Sequence, residues 1–532
     1  MFKQTGLESL SKTALQPMTA SPWAVFRVVL GVTLFCWAHQ YLQLDRWRIL
    51  FLQPELYFKY AGFNWVNIWP NDGIWWHLQI MRLSALAFAI GLATRLNAAF
   101  LSLSVAYVLL VDRQHYNNHD YLLACTAMLC VFLPSNRCCS ADRWIRGHWK
   151  QNDKIPPPIP QWQWWLVRFQ LALPYVFGAI AKLDIDWLSG RPTMLWVQAR
   201  TGLPLMGSLM SLPYMNLLVA WGGIIFDAAI VPALYFRRTR PFAIVAALGF
   251  HLTNATIFTI GVFPWFMLAT LFVFIPTKTI ERLFNRIAQS LWGRNAGSDL
   301  LTATKRFTND AILREPSSTE QPIRWHRMGT VLAGTYVFVQ LLLPLRPWVL
   351  PGQPSWNERG QRFAWRMMLR HKECLTWFKI ETDDDYLFVP ASHIMTPNQL
   401  THGQHDPELI RQSANHLQSM ASRIGASQTR VYALHLVSLN GRRPAYLVDP
   451  DIDLTKVRRG WFKDDWVNQT PGQTMQSPWR KPKDEWWNEI QIPERFKLLT
   501  RYSPDEATTM FQSLMNRFDP QTSKLSAIVD DD

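Results

Sequence analysis

Hydrophobic and polar positions divide the chain near residue 350. Before that point one apolar run follows another, at 22–43, 76–94, 97–112, 119–135, 162–183, 213–236, 241–259, 262–277 and 326–347. A helix needs about 20 mostly apolar residues to cross a bilayer. Each run meets or approaches that length, and the shorter ones can tilt or lean on neighbours. The pattern predicts a polytopic α-helical membrane domain over 1–350 with about nine transmembrane helices, give or take about one. The first run starts near Ser21 without a small-residue cleavage site, so it reads as the first span and not as a signal peptide.

Beyond residue 350 the patterning is that of a folded α+β domain over 351–518. Residues 375–390 alternate around Asp383-Asp384-Asp385, as a hairpin does. Asp406-Pro407 opens an amphipathic helix with Leu409, Ile410, Leu417, Met420 and Ile424 on one face. Val431 to Val448 reads as two strands around Asn440-Gly441, the dipeptide of a type I′ turn. Residues 459–487 hold five tryptophans and read as a loop packed on the domain or on the membrane surface. A tail over 519–532, ending in three aspartates, is expected to be disordered.

Charge adds sidedness. The net charge of +15 is concentrated in particular loops, which is a topology signal rather than a nucleic-acid footprint. The loop 136–160 carries Arg137, Arg143, Arg146, Lys150 and Lys154, and a short turn carries Arg237, Arg238 and Arg240. The long loop 278–325 is basic as well, whereas 44–74 and 184–212 are balanced. With a cytoplasmic N-terminus and nine spans, every basic loop falls in the cytoplasm and the 351–518 domain becomes extracytoplasmic. In a bacterium that means the inner membrane; in a eukaryote, the endoplasmic reticulum membrane with a lumenal domain. The six cysteines show neither a disulfide framework nor metal-ligand spacing.

Ionisable groups inside the bilayer are costly and are functional candidates by default. Here they are Arg27, Arg82, Arg168, Lys182, Asp227 and His251. Arg168 and Asp227, in adjacent spans, are expected to pair with each other. Lys182 ends a span within Gly178-Ala-Ile-Ala-Lys-Leu-Asp-Ile-Asp-Trp187; it either snorkels, pairs with Asp184 or Asp186, or is a desolvated general base. Asn117-Asn118-His119 caps a helix or orients a polar ligand head. The topology collects Asn118, His119, Lys182 and the end of the His251 helix at the face that carries the second domain. No Walker A loop, HExxH, GxSxG or dinucleotide-binding glycine fingerprint is present.

Five stretches carry a resemblance: His115-Tyr-Asn-Asn-His-Asp-Tyr121, Ala181-Lys-Leu-Asp-Ile-Asp-Trp187, Phe250-His-Leu-Thr-Asn254, Ile260-Gly-Val-Phe-Pro264 and Arg362-Phe-Ala-Trp-Arg-Met-Met368. In this order they resemble the vitamin K-dependent gamma-carboxylase family, including its bacterial, horizontally transferred transmembrane-domain members. The resemblance implies coupling of vitamin K hydroquinone oxygenation to addition of CO2 at the γ-carbon of glutamate, without a metal. By carry-over Lys182 deprotonates the hydroquinone, Asn118 positions it, and His119 assists carboxylation. His251 and Trp365 line the pocket. The implied partners are lipid, a quinone and a glutamate-containing peptide. The stretch Gly360-Gln-Arg-Phe363 departs from the aromatic-rich animal version, and the longer β-rich region of the animal enzymes has no counterpart before residue 532. A quinol epoxidase without a protein substrate, and a non-catalytic membrane binding or assembly protein, remain open alternatives.

Overall fold

A computed structural model describes residues 13–149, 159–202, 207–258, 260–277 and 323–501, apart from 384, 424–425, 427 and 461–463, together with scattered positions between 279 and 290. The tail 519–532 lies outside the described residues. A helix occupies each predicted apolar segment: α1 (Ser21–Leu42), α2 (Gly73–Ile90), α3 (Thr94–Val111), α4 (Asn118–Phe132), α5 (Gln161–Ala181), α6 (Met215–Tyr235), α7 (Arg240–Ile257), α8 (Phe263–Thr270) and α9 (Ile323–Val349). Among the described residues five are long and apolar enough to cross a membrane: Ser21–Phe51, Thr94–Val111, Gln161–Ala181, Met215–Tyr235 and Met328–Val349. The others fall short for visible reasons. The helix α4 has only 15 residues, α2 carries His77, Gln79 and Arg82, and α7 carries Arg240, His251 and Asn254.

Small residues set the closest helix crossing. Gly31 of α1 faces Ala85 and Ala89 of α2, and a Cβ on it would lie 2.7 Å from the Ala89 Cβ. Without a hydrophobic drive between helices in lipid, such close backbone approach supplies the packing. Several intramembrane charges prove structural. Arg27 is buried and donates to the carbonyls of Ala89 (3.1 Å), Ser135 (2.7 Å), Cys138 (3.1 Å) and Cys139, tying the loop after α4 to the α1–α2 pair. Arg82 bonds Gln79 and lies over the Phe35 ring. Arg168 does not pair with Asp227 as expected; it donates to the carbonyls of Val273 (2.8 Å) and Ile275 (3.4 Å) at the end of a helical segment.

The second domain contains a four-stranded antiparallel sheet ordered β2-β1-β3-β4, from β1 (Lys372–Glu381), β2 (Tyr386–Pro390), β3 (Arg430–Leu439) and β4 (Ala445–Tyr446). The β1–β2 hairpin closes as predicted, with Glu381 opposite Tyr386. Asn440 and Gly441 both have positive φ, and the Arg442 N–H bonds the Leu439 carbonyl at 3.0 Å, completing the type I′ turn. Helix α10 (Pro407–Arg423) buries Leu409, Ile410 and Leu417 beside Val431, Ala433 and Val437 of β3. Met420 is only half-buried, and Ile424 lies outside the described residues. Of the tryptophan-rich stretch, Trp466, Trp479 and Trp486 are buried within the domain rather than turned to a membrane surface.

The domain docks on one end of the helices. Phe58, from the α1–α2 connection, is part of its core, and the Lys59 N–H bonds Gln412 Oε1 at 2.8 Å. Arg113, just after α3, pairs with Asp406 at 2.9 Å. Asp186, just after α5, accepts from Arg442 and from Asn440 Nδ2 (3.0 Å). Two of these connections, 44–74 and 184–212, are the balanced ones of the charge pattern. The loop after α4 instead ties back to the opposite end, where Asp142 accepts the N–H of Ala93 and Thr94.

Candidate active site

Lys182 closes α5 and turns inward. It is 7 % exposed, and its Nζ donates to Asp227 Oδ2 of α6, itself 5 % exposed. The expected partners have other tasks. The Asp184 carboxylate accepts the Asp186 N–H at 3.0 Å, starting a short helix, and Asp186 holds Arg442. Beside the pair, Nζ lies 5.3 Å from the Trp187 ring centroid, and Trp187 is fixed by its indole N–H on the Ala220 carbonyl at 2.9 Å.

His251 is 1 % exposed. Its Nε2 meets the Tyr175 hydroxyl at 2.8 Å, while its Nδ1 has no partner among the described residues. Tyr175 in turn lies within electrostatic reach of Asp227. The His251 ring lies edge-on to Phe263 with centroids 6.3 Å apart, and the His119 ring stacks on Phe263 at 3.9 Å. One aromatic ring therefore bridges the two histidines.

Asn117 caps α4 through its Oδ1, which accepts the Asp120 N–H at 2.8 Å. Asn118 points elsewhere: its Oδ1 accepts from the Tyr116 hydroxyl (2.9 Å) and its Nδ2 donates to the Arg366 carbonyl (3.4 Å). The Tyr116 oxygen also accepts the Phe363 N–H at 2.6 Å. The segment 362–369 is thereby laced to the start of α4. Trp365, fully buried, belongs to the core of the helical domain, with its ring 5.1 Å from that of Tyr121. Leu369 packs with Ala181, Trp187, Ala220 and Ile224 beside Lys182. Burial pushes the Arg366 guanidinium down to about 10, opposed by the nearby Asp184 carboxylate. The same eight residues thus touch Asn118 at one end and the surroundings of Lys182 at the other.

A cavity of about 340 Å³ opens beside His119 and Asp120, walled by Asn117, Trp37, Phe263 and His402. Its lining includes His119 but not Lys182, Asn118, His251 or Trp365. Reading the sequence alone misses Asp227 as the partner of Lys182, and Tyr175, Tyr116 and Gln340 altogether. Gln340 donates to the Tyr121 hydroxyl at 2.9 Å, and its Oε1 has no partner among the described residues. One signal was present: Gly178 and Gly223 each stand four residues before a member of the buried pair. Among the described residues no cluster of His, Cys, Asp or Glu could hold a metal ion.

Further out, Asp406 sits between Arg113 and Arg362. Burial alone would raise its carboxyl, but the two guanidiniums hold it well below the usual carboxylate range.

Two family models match the chain. Residues 15–278 match the HTTM domain and residues 325–473 match the lumenal domain of the vitamin K-dependent gamma-carboxylase. No solved structure matches. The matched regions meet the helical bundle and the sheet domain described above, and the chain is a membrane protein that belongs to the vitamin K-dependent gamma-carboxylase family.

Proposed function

We propose that this protein is a gamma-glutamyl carboxylase-like enzyme of the membrane, coupling oxygenation of vitamin K hydroquinone to CO2 addition at the γ-carbon of glutamate. The observation that carries this reading is the buried Lys182–Asp227 pair lying under the segment that also holds Asn118. The γ-C–H of glutamate is far too weak an acid for a side chain near neutral pH. Reduced vitamin K, on reacting with O2, supplies the stronger base and leaves as the epoxide. The residues present suit an aromatic diol: Trp365 and Tyr121 are aromatic, and Trp365 Nε1, His251 Nδ1 and Gln340 Oε1 are buried polar atoms without partners among the described residues.

In this reading Lys182 Nζ accepts the hydroxyl proton that starts the reaction. Asn118, oriented by Tyr116, binds a ligand oxygen, and His251 and Trp365 wall the compartment. His119, at the edge of the 340 Å³ cavity, serves the later step in which the glutamate γ-C–H bond is broken and a C–C bond to CO2 forms. The chain crosses the bilayer about nine times, the domain after α9 being extracytoplasmic. A glutamate-containing peptide then arrives on the face of the docked domain.

A second reading, quinol epoxidation without carboxylation, is favoured by one feature. Arg362 and Phe363, where the animal enzymes are aromatic-rich, are committed here to Asp406 and Tyr116. One experiment separates the two. Membranes are given reduced vitamin K, labelled bicarbonate and a glutamate peptide, and epoxide and fixed CO2 are read independently. Both products support the first reading, epoxide alone the second, and neither refutes both. Alkaline phosphatase fused after Asp532 should be active in a bacterial host; a signal only from a cytoplasmic reporter overturns the orientation.

A further inference from the structure

We infer that Asp227 is a positioning residue for Lys182, holding its Nζ inside the helix bundle and stabilising the ammonium it becomes on taking a proton. The part concerning proton transfer rests on the function proposed above; the part concerning the pair does not. The site is built from both helices. Gly178 precedes Lys182 by one helical turn on α5, and Gly223 precedes Asp227 by one turn on α6. A Cβ on Gly178 would lie 3.0 Å from Asp227 Oδ2 and 3.8 Å from Lys182 Nζ. A Cβ on Gly223 would lie 3.8 Å from Lys182 Cε and 3.5 Å from the Trp187 ring. Each helix therefore removes a side chain at the place where the other sends its charged group across.

A lysine of purely structural use at a helix end would snorkel to water. This one is drawn inward. An ammonium taken out of water needs a counter-charge, and Asp227 is the carboxylate that touches it. When Nζ, as the free amine, takes a proton from a substrate hydroxyl, the O–H bond breaks, its electrons stay on oxygen and the nitrogen lone pair forms the new N–H bond. The new positive charge then faces a carboxylate already in place, with no reorganisation at that moment. Tyr175 of α5 lies within electrostatic reach of Asp227 and bonds His251 on α7, and Asp184, two residues beyond Lys182 in the chain, lies within electrostatic reach of Arg366. None of these replaces Asp227 in contact with Nζ.

The test uses the full-length protein in detergent or nanodiscs and the isosteric Asp227→Asn variant. Acylation of Lys182 by a small amine-reactive ester is followed by peptide mass spectrometry across pH. Only the free amine reacts, and an ammonium without its carboxylate gives up its proton more readily in an apolar setting. Labelling of Lys182 at pH 7 should therefore rise about ten-fold or more, corresponding to a pH-midpoint shift of about one unit or more. Buried Lys372 is the folding reporter, since its side chain is fully enclosed. Should Lys372 label as well, the variant has unfolded and Asp227→Glu, which keeps the charge, decides by labelling as the wild type does. Unchanged Lys182 labelling in a folded Asp227→Asn protein overturns the inference.

Turnover gives a second readout. The acid limb of the pH–rate profile should move to lower pH by about one unit, with a lower plateau because the base is weaker. A merely structural Asp227 would lower the plateau and leave the limb in place, which also overturns the inference. Raised labelling in a protein whose wild type consumes no reduced vitamin K supports the pair and removes the proposed function instead.

Discussion

Replacing Asp406 by asparagine should loosen the junction of the two domains, and the structure sets the size of the effect. The carboxylate is 3 % exposed and faces two guanidiniums, Arg113 at 2.9 Å and Arg362 in direct contact. Asparagine keeps the shape and the bond from the Glu408 N–H to Oδ1, but it leaves two buried cations facing each other. Breaking a buried pair from one side costs about 3–5 kcal/mol, because the remaining charge is uncompensated. For a domain of this size that corresponds to a melting shift on the order of 10 °C. The sign with pH follows from the depressed carboxyl. Stabilisation is complete above the unfolded carboxylate value of about 3.9 and is lost as pH falls through the lower folded value. The penalty of Asp406→Asn should therefore be flat from pH 5 to 8 and shrink below about pH 4. Thermal unfolding of purified protein, read by intrinsic tryptophan fluorescence, measures both. A loss under about 1 kcal/mol at pH 7 would refute the reasoning, since it is the range of an exposed pair.

Lys182→Ala should abolish both epoxide formation and CO2 fixation, and it should also destabilise the protein by about 3–5 kcal/mol by stranding Asp227; Lys182→Met with Asp227→Leu should recover stability but not turnover, and wild-type epoxidation in Lys182→Ala removes the mechanism. His119→Ala should keep part of the epoxidation and lose carboxylation, and equal loss of both refutes the division of roles. Trp365→Ala should cost about 3–5 kcal/mol as a large buried side chain; a change within about 0.5 kcal/mol in the same melting assay refutes its place in the helical core.

What could be read from the sequence follows from how local the cause is. Apolar runs, the Asn440-Gly441 turn and the Asp406-Pro407 helix start act over a few residues, and each has its element in the structure. Long-range partners did not follow. Arg168 and Asp227 looked like a pair because they lie in adjacent spans, yet carbonyls after α8 satisfy Arg168 and leave Asp227 to Lys182. The expected pairing of Lys182 with Asp184 or Asp186 fails for the same reason: a helix-end position does not say which way the side chain turns. The family motifs marked Asn118, His119, Lys182, His251 and Trp365, but not the side chains that hold them, such as Asp227 on Lys182 and Tyr175 on His251. Tyr116 lay inside a quoted motif and still gave no sign that its hydroxyl would link Phe363 to Asn118.

The link itself is held against strain. Glu358, Phe363, Trp365 and Met368 all adopt left-handed backbone, with φ of 59°, 59°, 55° and 53°. Each such residue other than glycine costs about 1–3 kcal/mol and persists only where its surroundings over-determine it. The surroundings here come from both domains. Glu358 is clasped by Arg370, with the second contact at 2.8 Å, and by Lys372 at 2.7 Å within the sheet domain. Arg362 is drawn to Asp406, while Tyr116 and the Trp365 pocket belong to the helices. Remove either set of anchors and the segment has no reason to keep these angles. The Arg366 carbonyl that meets Asn118 and the Leu369 side chain that packs beside Lys182 both depend on them. The arrangement of Asn118 and of the surroundings of Lys182 is therefore a property of the docked pair of domains, and under the proposed function a peptide engaging the sheet domain would act on the chemistry through this one strained strap.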